Sequence, residues 1–319
     1  MSFCIIHLSD IHIQDENDII LTRTDEICRA CASVTQNNST VVIAISGDIA
    51  FSGLCSQYEL ANGIIAKISE YLKNEKQAQV YTVFVPGNHD CDFKNENSVR
   101  KTLIDHMSSN IDEQYYDTVV SVQQNYSNFA ADFDIDTNRA LSKKEIIVNG
   151  NKFLFLLSNT AWMSVLKENP GKIIMPKELF DDVDTNEYKV IFYLMHHPTN
   201  WLNPDHKTTF VEHIRKNADI VLIGHEHARD SYHQVGDKFS VFCSHGKELQ
   251  DNYSHASAFS VMAFDDAFQT YTVFDFEWSE DKYNRVSEKV NQFHKNIASQ
   301  HSITIPNEET LKQINSKNN

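Results

Sequence analysis

Five short polar motifs hold the residues whose types and spacing suit chemistry. They are Asp10-x-His12, Gly47-Asp48, Gly87-Asn88-His89-Asp90, His196-His197-Pro198 and Gly224-His225-x-His227. Carboxylate, imidazole and amide-oxygen donors without a thiolate favour catalytic ions such as Mn2+, Fe2+/Fe3+ or Zn2+ over a structural zinc. Asp10, His12, Asp48, Asn88, His196, His225 and His227 make seven donors, too many for one ion. With one carboxylate shared, they serve two ions and leave open positions for water and substrate. A pair of ions roughly 3.5–4 Å apart is a recurrent device for in-line phosphoryl displacement. Two ions balanced by two carboxylates leave a pocket of about +2, which draws in an anionic phosphate.

The elements that must position these residues are legible as hydrophobic runs. Each motif directly follows a buried-strand pattern: 3–8, 41–46, 80–85, 189–195 and 220–223. In open α/β sheets, ligand sites form beyond the carboxyl ends of strands, so five such ends converge on one place. Ile20, Ile27, Cys31 and Val34 recur at helical spacing. Ser56-x-x-Glu59 reads as a capping box ahead of an apolar stripe at Ala61, Ile64, Ile65, Ile68 and Leu72. The resulting β-α-β-α-β order calls for a parallel sheet with helical crossovers.

Further along, Asn149-Gly150 turns a hairpin between 144–148 and 152–158, and Asn203-Pro204 opens a helix. Runs at 239–243, 259–264 and 270–276 read as late strands. Residues 95–140 are polar and acidic, and read as a helical insertion or lid whose aromatic residues are core. Tyr283, Val286, Val290, Phe293 and Ile297 recur at spacings of three and four, which predicts an amphipathic helix over 279–300. It would pack on a domain of residues 1–278 and lead into a polar tail or linker at 301–319. Helix and tail together offer a surface for a protein partner.

Composition limits the partners. The chain has 319 residues and a net charge of −16, with 44 acidic against 28 basic side chains. This disfavours a long nucleic acid held on a basic surface, and adhesion to an anionic membrane. No apolar run reaches the ~20 residues that span a bilayer, and no signal peptide is legible, so a cytoplasmic protein is expected. The six cysteines do not make a disulfide scaffold, and Cys28-x-x-Cys31 reads as buried free thiols. Glycine is scarce, with nine in all, yet Gly47, Gly87 and Gly224 each stand at a strand-to-loop corner before a candidate ligand.

The motif series, in this order and at strand ends, resembles the calcineurin-like metallophosphoesterase family. Ser46-Gly-Asp-Ile-Ala-Phe-Ser-Gly53 resembles its bacterial members in particular. The resemblance implies an α/β fold: a four-layer α/β/β/α sandwich with two mixed β-sheets flanked by helices, the strand-rich 231–276 completing the second sheet. It implies that Asp10, His12, Asp48 and His227 hold one ion and Asp48, Asn88, His196 and His225 the other. His89 is implied as general acid and transition-state stabiliser, with Asp90 orienting its imidazole, and a hydroxide bridging the ions as nucleophile. The function implied is a dinuclear-metal phosphoesterase, a phosphodiesterase before a monoesterase, acting on a small phosphorylated or nucleotide substrate. The same motifs occur in nucleases acting on DNA or RNA. A third alternative is a regulatory module that senses a phosphorylated ligand.

Overall fold

The computed structural model describes residues 2–107, 111–180, 183–226, 231–237, 239–251 and 254–296. Strand β1 (Phe3–Leu8) is apolar almost throughout and buried at every position, as a strand covered on both faces requires. Helix α1 (Ile19–Val34) returns the chain to β2 (Thr40–Ile45), and α2 (Cys55–Lys76) returns it to β3 (Gln79–Phe84). Both crossovers yield parallel pairs, β1 with β2 and β2 with β3. Their carboxyl ends therefore lie on one edge.

Three short helices follow: α3 (Ser98–Asp105), α4 (Glu113–Val119) and α5 (Gln124–Ala131). All three lie within residues 95–140. Tyr116, Tyr126 and Phe129 of this segment are buried, so they are core rather than a stacking platform. The hairpin β4 (Leu141–Val148) and β5 (Asn151–Ser158) turns at Asn149 and Gly150, both with positive φ, as a two-residue primed turn demands. Then come β6 (Tyr188–Met195), α6 (Pro204–Asn217), β7 (Ile220–Ile223), β8 (Ser231–Gly236), β9 (Phe239–His245), β10 (Ala258–Phe264), β11 (Thr270–Ser279) and β12 (Lys282–Gln292).

Two six-stranded mixed sheets result, in orders β12-β11-β10-β1-β2-β3 and β4-β5-β6-β7-β9-β8. They pack face to face, and alternation along β5 shows how. Phe153, Phe155 and Leu157 join β1, β2 and β10 in the core between the sheets. Phe3 stacks on Phe153 with ring centroids 4.2 Å apart. Leu154 and Leu156 point the other way and join Phe210 and Ile214 of α6 in a second core. Burying each such side chain contributes about 1.5–3 kcal/mol. Helices thus flank the paired sheets, as the α/β/β/α reading expects. No helix among the described residues is long and apolar enough to cross a membrane.

Two expectations are corrected. Residues 282–292 form β12, an edge strand paired antiparallel with β11, so no helix spans 279–300 and the first sheet runs past residue 278. The apparent stripe is not a face: Tyr283 is buried against Phe259 and Trp278, while Val286 and Val290 are exposed. The partner-docking helix therefore does not exist at these residues. The late strands also do not all complete the second sheet. Only β8 and β9 join it, whereas β10, β11 and β12 extend the first.

The chain beyond β12 crosses from the first sheet to the second. Asn296 is fully buried and donates to the carbonyls of Arg215 and Ala218, both at 2.7 Å, closing the end of α6. Lys295 Nζ lies 2.7 Å from Asp219, whose carboxylate also accepts from the Asn296 and Ile191 amides.

Candidate metal centre

The loops after β1, β2 and β3 in one sheet and after β6 and β7 in the other meet along a single edge. Main-chain bonds lock them there: Asp10 N–H donates to Gly47 O at 3.1 Å, His12 N–H to Asp48 O at 2.9 Å, and Gly224 N–H to His196 O at 3.0 Å. His196 joins the sheets, because its Nδ1–H donates to Ser46 O at 2.8 Å. That bond leaves Nε2 facing the other donors. Asn88 Oδ1 lies 3.1 Å from it, His225 Nδ1 3.1 Å and Asp48 Oδ2 3.3 Å. The same oxygen also meets His12, whose Nε2 lies 3.7 Å from Asp48 Oδ2 and 3.9 Å from Asp10 Oδ1.

These atoms are mostly acceptors crowded around one another, an arrangement that calls for a cation. Three overlapping groups are close enough to hold an ion: His196, His197 and His225; His12, Asp48 and His89; Asp10, Asp48 and His196. Electrostatics agree. Burial pushes the Asp48 carboxyl up, but His196, His12 and His89 outweigh it and hold it well below the usual range. Burial pulls His196 down, yet Asp48 overrides this and raises it to about 10. Burial with His196 and His197 nearby lowers His225 to about 3, which keeps its imidazole neutral with a lone pair to donate. The residue types, separations and charge all fit divalent ions.

The backbone here is under strain. Asp10, His12, Asp48 and His225 have φ of 52°, 50°, 52° and 74°, left-handed for L-residues. Such conformations cost about 1–3 kcal/mol each and cluster at functional sites. Gly47 is required for a different reason: with φ of 97°, any Cβ would overlap the His196 ring. At Gly87 a Cβ would overlap the Asp48 carboxylate.

A buried chain of hydroxyls backs Asp10. Ser9 Oγ donates to Asp10 Oδ2 at 2.5 Å, Ser46 Oγ to Ser9 Oγ at 2.9 Å, and His7 Nε2 lies 2.9 Å from Ser46 Oγ. Because the carboxylate only accepts, every proton along this chain points toward it. Burial lowers His7 to about 3, so it stays neutral. The sequence marks His7 only as a core histidine, and nothing in it flags the relay.

His89 lies at the mouth, its ring centroid 4.6 Å from that of His12 and its Nδ1 2.8 Å from Phe51 O. The expected Asp90–His89 pairing is corrected. Asp90 is fully buried and accepts from the Gly87, Ala50 and Ile49 amides at 2.8, 2.8 and 3.2 Å, and from Tyr58 Oη at 3.0 Å. It staples the β2 and β3 loops together, and the Phe51 carbonyl orients His89 instead. Adjacent residues of a tight turn point different ways, which the motif does not reveal. Burial and the nearby Asp48 push Asp90 up to about 6, against the pull of the amides.

His197 stands beside the donor cluster with a partner at each nitrogen. Nε2 lies 2.9 Å from Glu168 Oε2 and Nδ1 3.3 Å from Thr160 Oγ1. Glu168 carries no motif signal and is missed by the sequence. Trp201 is missed too; its ring centroid lies 4.1 Å from His225, and its indole N–H donates to Glu226 at 2.9 Å. His245 lines a cavity of about 270 Å³ with Pro198, Asn200 and Glu226. Cys91 is buried and its thiol pushed up by burial, which makes it inert rather than oxidation-prone. Cys28 and Cys31 are free and buried. His227 and Arg229 lie outside the described residues.

A match of 33% identity over 98 residues links the chain to the uncharacterized protein R555 of Acanthamoeba polyphaga mimivirus, covering 29% of this chain and only 7% of that protein. Among solved structures, zinc-complexed Vps29 from Entamoeba histolytica aligns over 91% of this chain and 99% of its own, at 12% identity and a TM-score of 0.38. A conserved uncharacterized protein from Streptococcus pneumoniae TIGR4, described as a predicted phosphoesterase, aligns over 92% and 98%, at 12% identity and a TM-score of 0.33. The family model for calcineurin-like phosphoesterases matches residues 4–229, from the first residues of β1 past the last histidine motif. That stretch is well over half of the chain and contains every loop that builds the centre, so the chain belongs to the calcineurin-like phosphoesterase family.

Proposed function

We propose that this protein is a dinuclear-metal phosphodiesterase acting on a small phosphoester. The observation that carries the reading is the shared position of Asp48. Its Oδ2 lies 3.3 Å from His196 Nε2 and 3.7 Å from His12 Nε2, so one oxygen is within reach of both ligand sets. One ion would be held by Asp10, His12 and Asp48, with His227 as the fourth expected ligand. The other would be held by Asp48, Asn88, His196 and His225. Bound there, divalent ions supply Lewis acidity and offset charge on the phosphoryl oxygens.

The chain's own residues do the rest. Asn88 contributes a neutral oxygen, so it ligates without cancelling positive charge. His89 has Nδ1 fixed on the Phe51 carbonyl, which leaves Nε2 to act on the substrate. In that position it stabilises negative charge at phosphorus and donates a proton to the leaving oxygen. The excess acidic charge favours a small anion over a long polymer.

The test combines metal analysis with kinetics. After loading with Mn2+, two equivalents per chain are expected, with bis(p-nitrophenyl) phosphate turned over faster than p-nitrophenyl phosphate. One equivalent overturns the dinuclear assignment, and faster monoester turnover overturns the diester preference. With both ions bound and neither ester hydrolysed, the enzyme reading fails.

A further inference from the structure

Two aromatic side chains touch the centre without belonging to it. Phe51 stands on the loop after β2, with its ring centroid 5.2 Å from that of His89 and 6.2 Å from that of His12. It is 39% exposed, and no other phenylalanine of the described residues is as open. Trp201 stands on the loop after β6, against His225 at 4.1 Å and His197 at 6.0 Å. It is fixed at its indole N–H by Glu226, which Asn200 also holds, so the ring is pre-oriented. Each sheet thus contributes one aromatic ring beside the histidines.

Beside His89, the open ring of Phe51 leaves a flat apolar face that part of a ligand can cover. The site loops restrict what that can be. Residues 9–13, 46–53, 87–92, 195–201 and 224–226 contain no lysine or arginine. These loops cannot grip the organic part of a substrate by ion pairs. They can grip it by stacking, since every flat ring offers a π-face and edge-on or offset contacts are favourable.

We propose that Phe51 and Trp201 are specificity residues that select phosphoesters carrying a flat aromatic ring near phosphorus. The inference rests on the phosphoesterase reading of the same site and adds the class of organic group. The phosphoryl end goes to the metal centre. The ring goes between or against the two side chains, Phe51 on the flank of His89, where the leaving group departs. A ring bonded directly to phosphorus and a nucleobase set one ribose away present the same chemistry at different reach.

The test is binding of phosphonates and of monoesters checked to be intact afterwards, measured calorimetrically on the Mn2+-loaded full chain. Phenylphosphonate is compared with methylphosphonate, and thymidine 5'-monophosphate with ribose 5-phosphate. Stacking predicts that at least one ringed ligand binds roughly tenfold tighter than its ringless control. The pair that shows the gain identifies the reach. Phe51→Leu or Trp201→Leu should shrink that ratio to about twofold while metal stoichiometry stays the same. Equal affinities within both pairs overturn the ring proposal, and if esters are still hydrolysed the phosphoesterase reading survives. A gain that persists in both variants also overturns it. Failure of every ligand to bind, together with no ester hydrolysis, overturns both.

Discussion

Gly47 shows how much a single missing methyl group contributes. Its φ of 97° and its closeness to the His196 ring exclude any side chain. Gly47→Ala should push His196 aside by on the order of 1 Å, and misplacements of that size can cost about 100-fold in rate. Metal affinity should fall with it. Calorimetric titration with Mn2+ beside a diester assay checks this, and unchanged affinity would show that His196 is not a ligand. Glu168 makes a different prediction. Burial pushes its carboxyl up, but His197 and Ser164 outweigh this and hold it below its ordinary value of 4.5. A depressed carboxylate stabilises the fold above its unfolded value, and that contribution is lost as pH falls through the folded one. Stability should therefore drop as the protein is acidified from about 4.5 downward. Glu168→Gln should flatten that drop, as urea midpoints across pH 3–6 would reveal.

At the scale of elements, the crossing segment after β12 carries a load out of proportion to its length. Asn296 satisfies two carbonyls at the end of α6 and accepts from the Ser240 amide at 3.3 Å. Asn296→Ala leaves these groups buried and unpaired, and should cost about 1–3 kcal/mol. The loss would be read as a lowered urea midpoint with the slope unchanged, and a midpoint equal to wild type would dismiss the role. None of this is legible in the sequence, because the partners lie about 80 residues upstream. The strands that carry the motifs were legible, because apolar β-branched runs ended in polar corners. β12 was not: an edge strand needs no apolar face, and Tyr283, Val286 and Val290 mimic helical spacing by chance. The cap of α2 also differs from the sequence reading. Gln57, not Ser56 with Glu59, closes it, its Oε1 accepting from the Ser52 and Leu54 amides at 3.0 and 3.1 Å. Short polar signals of this kind tolerate a shift of a residue. The candidate ligands were legible because residue type and order carried them. The groups behind them, Ser9, Ser46, Glu168 and the Phe51 carbonyl, were not, because serine, glutamate and backbone are everywhere.

At the scale of the molecule, charge and topology act together. A surface of −16 repels anions at a distance, so selectivity has to come from the short-range field of a loaded centre, and that field is set where both sheets meet. The meeting depends on β1, which pairs with β2 on one side and with β10 on the other, from Phe3 opposite Phe264 to His7 opposite Ser260. That second pairing joins the first strand made to one of the last. On a ribosome adding about 5–20 residues per second, β1 would wait on the order of 10–50 seconds before its partner exists. Through that interval one edge of an apolar strand stays unpaired, a template for wrong pairing. The candidate ligands beyond its end, Asp10 and His12, are held by the β2 loop, but His196 and His225 join them only once β6 and β7 have been made. Assembly of the centre is thus a late event in the life of the nascent chain, and a chain released before residue 264 would carry the first motifs with an open sheet beneath them.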